Sequence, residues 1–510
     1  VSGIASILVY ICKIISITMK KLLFLIIGIP SIALAQLPKA ITVAGGTISG
    51  STSGTVSIYK GIPFAAPPVG LLRWTAPQPP QPWKGVRKCI AFGPSPMQGT
   101  PEPFRMWTEE FLIPKQPISE DCLYLNVWTP AKKQGEKLPV LVWIYGGGFM
   151  SGGSAVPIYD GEALAKKGII VVSFNYRVGI FGFLAHPELE GMQQGSGNYG
   201  LMDQIFALQW VQDNIAAFGG DPANVTIAGQ SAGSVSGNCL VNSPRAKGLF
   251  TKAIAESGSA FFKNFSRQEA LALAHNAQIS LKSKNVAEMR ALPAETLLKT
   301  YQQYGPSADG YILPLQESNS PPNPITLLTG WNQDEGFSWP PLSARQFEDE
   351  LKSTFGDDAK FILNHYPSSN PLSQLYFSRD RLFGLGNYEW ANRQAKIGTA
   401  YVYRFTRKVP ATGEYVKYGA FHTGEVPYVF NNLKLVDRPW EASDYKLADA
   451  MSDYWVNFVK TGNPNCPGLP EWKAYSEPRN DIMKFDLKPE PGIMVDTDPL
   501  ESLKRRLNGE

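Results

Sequence analysis

The sequence predicts an α/β chain with a mostly parallel central sheet covered by helices on both faces. Three observations predict it. Short apolar runs at 123–128, 140–145, 169–174 and 225–228 have the length of strands buried on both sides. Helical patterns at 159–167 and 199–218 separate the later runs, and strand–helix alternation builds parallel sheets. Further strand patterns at 252–256, 325–329 and 401–405 continue the alternation, with 401–405 as the last.

Residues 1–35 read as an extension followed by a signal peptide. Lys20 and Lys21 precede an apolar run, 22–35, too short for a membrane span and broken by Pro30. Ala33-Leu34-Ala35 fits small-x-small cleavage between Ala35 and Gln36. The expectation is a secreted or periplasmic mature chain, 36–510, folded as a single domain with no stable membrane span. Export implies an oxidising compartment. Cys89 and Cys122 share the loop-rich N-terminal third and are the disulfide candidates, with two buried thiols as the alternative. Glycine-punctuated alternation at 44–57 suggests a small N-terminal antiparallel sheet. Polar helical stretches, placed near 262–315 and 341–396, read as cap segments over the carboxyl ends of the strands, where open α/β sheets bind ligands.

Composition narrows the function. Apolar residues make up 44% of the 510 and charged residues 18%, which excludes wholesale disorder. Net charge is +4, and three of those charges are lysines within 1–35. So neutral a chain has no general attraction to nucleic acid or anionic membrane. Five Cys and four His show no metal-type spacing, so no metal or cofactor is expected.

The chemistry starts at Gly229-Gln230-Ser231-Ala232-Gly233. The pentapeptide is weak by itself, but a strand runs into it and a helix leaves it, as an α/β-hydrolase nucleophile elbow requires. The alternative, a serine capping a buried helix, lacks this flanking pattern. Upstream, the strand ending at 145 leads into Gly146-Gly147-Gly148-Phe149. Three glycines let backbone N–H groups converge on one point and, with the N–H of Ala232, hold a tetrahedral oxyanion. No Walker lysine or dinucleotide fingerprint accompanies them.

A serine hydroxyl needs a general base, and the chain order serine, acid, histidine puts that base late. His186, His275 and His365 lie in a Pro-adjacent loop and in helical patterns, leaving His422, in a loop after the 401–405 strand. The acid follows the 325–329 strand, where Asp334 and Glu335 both qualify. Phe149, beside the glycine loop, is a candidate acyl-pocket wall, with Phe337 and Phe383 as further candidates. Aromatic walls favour uncharged esters.

Together these residues resemble the type-B carboxylesterases, the family of cholinesterases and bacterial para-nitrobenzyl esterases. The marks are residues 59–63, 119–128 (SEDCLYLNVW), 142–153 (VWIYGGGFMSGG), 175–184 (NYRVGIFGFL), 197–203 (GNYGLMD), 217–233 (AFGGDPANVTIAGQSAG), 334–336 and 422–430. The resemblance implies an α/β-hydrolase fold and hydrolysis of small-molecule carboxylic esters; a monomer or weak oligomer is the separate expectation for assembly. It picks Glu335 with Ser231 and His422, and Gly147, Gly148 and Ala232 as oxyanion donors. It implies Ser257 as support for the triad acid, a buried Arg73–Glu120 ion pair and a Cys89–Cys122 bridge. The chain departs from the family in a short 231–335 segment and in having no Cys between 239 and 466. Two other readings share the fold: a non-catalytic binding protein, and a thioesterase or amidase using the same site. The first usually lacks a triad residue, whereas all three are present here.

Overall fold

The computed structural model describes residues 40–115, 117–190, 195–259, 265–315, 322–337 and 340–507. They belong to one unit, Leu37–Glu510, and the expected leader lies outside the described residues.

Among the described residues, eleven strands form the main sheet. They are β1 (Ser51–Ser53), β2 (Val56–Pro63), β3 (Tyr124–Thr129), β4 (Leu138–Ile144), β5 (Ile170–Phe174), β6 (Gly220–Gln230), β7 (Lys252–Glu256), β8 (Thr326–Asn332), β9 (Ala400–Phe405), β10 (Asp481–Phe485) and β11 (Pro489–Ile493). Across the sheet they run β11-β10-β9-β8-β7-β6-β4-β5-β3-β2-β1. From β10 to β5 every pairing is parallel, and both flanks are antiparallel. β5, β7 and β9 are buried at every position, so their sequences read as unbroken rather than alternating apolar runs. The fold is the expected α/β-hydrolase architecture, with helices on both sides of a large mixed sheet.

The last strand is not 401–405 as expected, because β10 and β11 follow it. β11 reads Pro-Glu-Pro-Gly-Ile, and prolines are tolerated there because it is an edge strand. The small N-terminal sheet also differs from expectation. Ile41–Val43 and Gly46–Ser49 pair antiparallel, Val86–Lys88 adds in parallel, and Val56–Pro63 joins the main sheet instead.

Helices α1 (Tyr199–Asn214) and α2 (Ala232–Asn242) flank β6 in sequence. The cap stretches contain α3 (Arg267–Ser280), α4 (Ala344–Phe355) and α5 (Leu385–Ala395). Ser266 with Glu269 and Ser343 with Gln346 form capping boxes that fix where α3 and α4 begin. Beyond α3 the cap reaches the glycine loop, where Gln303 Nε2 donates to Gly148 O at 2.8 Å. A last long helix, α6 (Ala442–Thr461), brings Trp455 to the end of β7.

Arg73 and Glu120 form the implied ion pair. Arg73 Nε donates to Glu120 Oε2 at 2.7 Å, and its Nη1 reaches the carbonyls of Arg290 and Leu292. The expected Cys89–Cys122 disulfide is absent, and both residues are free thiols. Cys89 Sγ is directed at Gly61 O, whereas Cys122 is buried beside Arg177 and Asp203, so each sulfur has its own surroundings. Burial pushes Cys89 up to about 11 and Cys122 well above the thiol range, which keeps both protonated.

Candidate active site

β6 ends at Gln230 and α2 begins at Ala232, which leaves Ser231 alone in the turn between them. Its backbone is strained, at φ 58° and ψ −123°. Such strain persists only where the surroundings over-determine it. Here Ser231 N donates to Glu256 O at 2.8 Å, and Ser231 O accepts from Val235 N at 2.9 Å. The helix also packs very close to β4. A Cβ at Gly233 would lie 1.9 Å from Ile144 O, so only glycine fits there. The elbow therefore presents the serine hydroxyl at a helix N-terminus, where developing negative charge is favoured.

The acid and base come from two loops at the carboxyl ends of β8 and β9. His422 Nδ1 lies 2.8 Å from Glu335 Oε2, and both residues are buried. With a proton on Nδ1 directed at the carboxylate, a neutral imidazole would have its Nε2 lone pair free to act as a base. Burial pushes Glu335 up to about 8. The Ser257 hydroxyl, the backbone N–H of Asn332, and the guanidiniums of Arg379 and Arg404 oppose the rise. Ser257 is buried near the acid, and its hydroxyl makes no hydrogen bond of ordinary geometry. A poorly solvated carboxylate gains most when the neighbouring imidazole takes a proton. Asp334, the other candidate acid, faces away. Its Oδ2 accepts from Ala420 N at 2.9 Å and its N donates to Ala420 O, bracing the histidine loop.

Gly147 and Gly148 both have positive φ, +119° and +62°. They line the same cavity as Ser231 and His422, and Ala232 follows Ser231 as the first residue of α2. A Cβ at Gly147 would lie 2.2 Å from Ser151 O. Gly147→Ala should therefore displace an oxyanion donor and lower kcat by about 10²–10³-fold. The check is p-nitrophenyl acetate kinetics alongside an unchanged melting temperature. A variant with wild-type kcat would remove Gly147 from the oxyanion hole.

The cavity measures about 510 Å³. Phe104, Trp107, Phe111 and Phe337 give it aromatic walls, and Glu102 is the one carboxylate among its described lining residues, with no Lys or Arg. Of the three predicted pocket phenylalanines, only Phe337 lines it. Phe383 stacks on the His422 ring at 4.2 Å and 16°, while Phe337 meets that ring edge-on at 5.4 Å. Phe149 does not shape the pocket. Its φ is +63°, and its ring packs edge-on against Phe183 at 5.1 Å.

The other histidines stay structural. His186 is buried and its Nδ1 accepts from Glu188 N, while His275 and His365 are exposed. Three site residues were not foreseen. Gln230 places its amide nitrogen 3.1 and 3.4 Å from the two ring nitrogens of His422. That near-equality puts the amide beside the ring and off the Nε2 lone-pair axis. Trp107 Nε1 donates to Thr423 Oγ1 at 3.2 Å, next to the base. Asn332 joins the two catalytic loops. Long-range amide contacts of this kind leave no periodic or motif signal in a sequence.

Among the described residues no group of His, Cys, Asp and Glu could hold a metal ion, and no helix is long and apolar enough to cross a membrane.

Comparison with known proteins places relatives around this geometry. The model of the carboxylesterase family matches residues 38–374 and 364–499. The fumonisin B1 esterase of Sphingopyxis macrogoltabida is 37% identical over 494 residues, covering 90% of this chain and 88% of that protein. The para-nitrobenzyl esterase of Bacillus subtilis (strain 168) is 35% identical over 495 residues, covering 91% and 97%. A solved PNB esterase structure superposes with a TM-score of 0.80 at 32% identity, over 91% of this chain and 99% of that one.

Proposed function

The chain belongs to the carboxylesterase family and is a carboxylic ester hydrolase, and from that premise we propose an exported serine esterase that cleaves uncharged esters through an acyl-enzyme on Ser231. The observation that carries the mechanism is the 2.8 Å contact of His422 with the buried Glu335, with His422 and the strained elbow serine lining one cavity.

In this reading His422 Nε2 takes the Ser231 proton as the oxygen attacks the ester carbonyl. The amides of Gly147, Gly148 and Ala232 stabilise the oxyanion. His422 then gives its proton to the leaving alcohol, which departs and leaves the acyl-serine ester. Water, deprotonated by His422, attacks that ester, and the returning proton frees Ser231. Glu335 holds the imidazole in one tautomer and offsets its charge while it is protonated. The sequence of residues 19–35 supports export.

The lining supports the choice of substrate. An ester carrying a free carboxylate would bury that charge among aromatic rings with no cation to pair it, which is unfavourable. The test is a panel of p-nitrophenyl acetate, butyrate and octanoate beside a p-nitrophenyl hemisuccinate. The uncharged esters should exceed the anionic one by more than about tenfold in kcat/KM. Equal rates on the anionic ester would overturn the substrate reading and leave the hydrolase intact. The best acyl length reports the usable depth of the cavity.

A further inference from the structure

Behind the triad lies a group of buried acids that the mechanism above does not use. Glu256, at the end of β7, and Glu425, three residues after His422, are both fully buried, as is Glu335. No ion pair to Glu256 or Glu425 exists among the described residues. Arg379 and Arg404, the guanidiniums nearest the triad acid, are bound to Asp380 and Asp496. Two unpaired carboxylates side by side in an apolar core would be very costly.

The contacts of Asn332 show how the core accommodates one of them. Asn332 is the last residue of β8 and is fully buried. Its backbone N–H donates to Glu335 Oε1 at 2.8 Å. Its side-chain Nδ2 donates one hydrogen to Phe421 O at 2.8 Å and the other to Glu425 Oε2. One residue thus touches the acid, the loop carbonyl just before the histidine, and the carboxyl group after it. Two atoms of this arrangement are buried without a partner: Asn332 Oδ1 and Glu425 Oε1. They are the remaining oxygens of the two groups already joined by Nδ2–H. A carboxamide and a carboxylic acid pair in a ring with two hydrogen bonds, N–H to C=O one way and O–H to C=O the other. A single proton on Glu425 Oε1 supplies the donor that both orphaned oxygens lack.

We propose that Glu425 is a neutral, proton-bearing carboxylic acid, paired with the Asn332 carboxamide as a buckle that fastens the His422 loop to the Glu335 loop. The proposal rests on the esterase reading for its role, but not for its chemistry. Glu425 is a positioning residue, because it acts through Asn332 and the loop carrying His422. The direction of its acidity agrees. Burial first, then the neighbouring Glu335, push Glu425 up to about 8, against the Asn332 amide. The other titratable groups facing it are Glu256, from β7, Tyr159, and Tyr403, from β9. None of these is a cation that would hold it ionised.

Infrared difference spectroscopy of the mature chain, wild type minus Glu425→Gln at neutral pH, tests the protonation directly. The expected result is a protonated-carboxyl C=O stretching band lost in the variant. A lost carboxylate band instead would overturn the proposal, whether or not any ester is hydrolysed. Kinetics on p-nitrophenyl acetate test the role. Glu425→Ala should lower kcat about 10–100-fold by loosening the histidine loop, with little change in KM. Glu425→Gln still presents a donor and an acceptor to Asn332, and should restore most of that loss. Equal losses in both folded variants would show that a charge, and not the buckle, is what the site needs.

Discussion

Ser231→Ala is expected to lower kcat for p-nitrophenyl acetate by about 10⁶-fold, leaving only the residual rate that oxyanion donors and binding provide. The methyl group keeps the elbow's shape but cannot form the acyl-enzyme. The same position predicts a stability effect of opposite sign. Ser231 sits at φ 58° and ψ −123°, a conformation that glycine adopts far more readily. Ser231→Gly should therefore be as inactive as Ser231→Ala yet melt at a higher temperature than wild type. Turnover measured beside calorimetry on both variants checks the pair. Substantial remaining hydrolysis in Ser231→Ala would place the nucleophile elsewhere, and an inactive wild type would favour the binding-protein reading.

Glu335→Gln is the second large effect. Gln at this position can offer Nε2–H to the imidazole and so favour the wrong tautomer, for an expected loss of about 10⁴-fold in kcat. Stability should move the other way, and the sign follows from burial. The Glu335 acidity is weakened on folding, from an ordinary value of 4.5 to about 8. A group raised in this way contributes stability that is full below its unfolded value and is lost as pH rises toward its folded one. Gln does not titrate. The melting temperature of Glu335→Gln relative to wild type should therefore climb between about pH 4.5 and pH 8. A difference that stays flat across that window would mean Glu335 is as acidic in the folded protein as in the unfolded chain.

How much of this was legible in the sequence depended on how local each signal was. Ser231 was readable because strand, elbow and helix are contiguous. His422 was readable because only four histidines exist and three fall in the wrong places. Asp334 and Glu335 were inseparable from their residue types, because what decides between them is that Asp334 faces the Ala420 backbone and Glu335 faces the imidazole. Phe149 failed for a related reason. Its position beside the glycine loop is local, but its positive φ carries the ring toward Phe183. The bridge expected at Cys89 and Cys122 rested on shared surroundings in sequence, which do not fix the direction of two sulfurs in space. β11 was hidden by its prolines, and Asn332, Gln230 and Glu425 by long-range pairing that no window of neighbouring residues contains.

The lining of the cavity has a consequence for the end of the catalytic cycle. Hydrolysis creates a carboxylate where the substrate had none. The described walls offer that anion no guanidinium or ammonium, and Glu102 is an exposed acid on the same lining. The newly formed acid is thus a poor ligand for the site that made it. On the proposed function, the free acid should therefore inhibit turnover only weakly, which p-nitrophenyl butyrate kinetics with added butyrate would check.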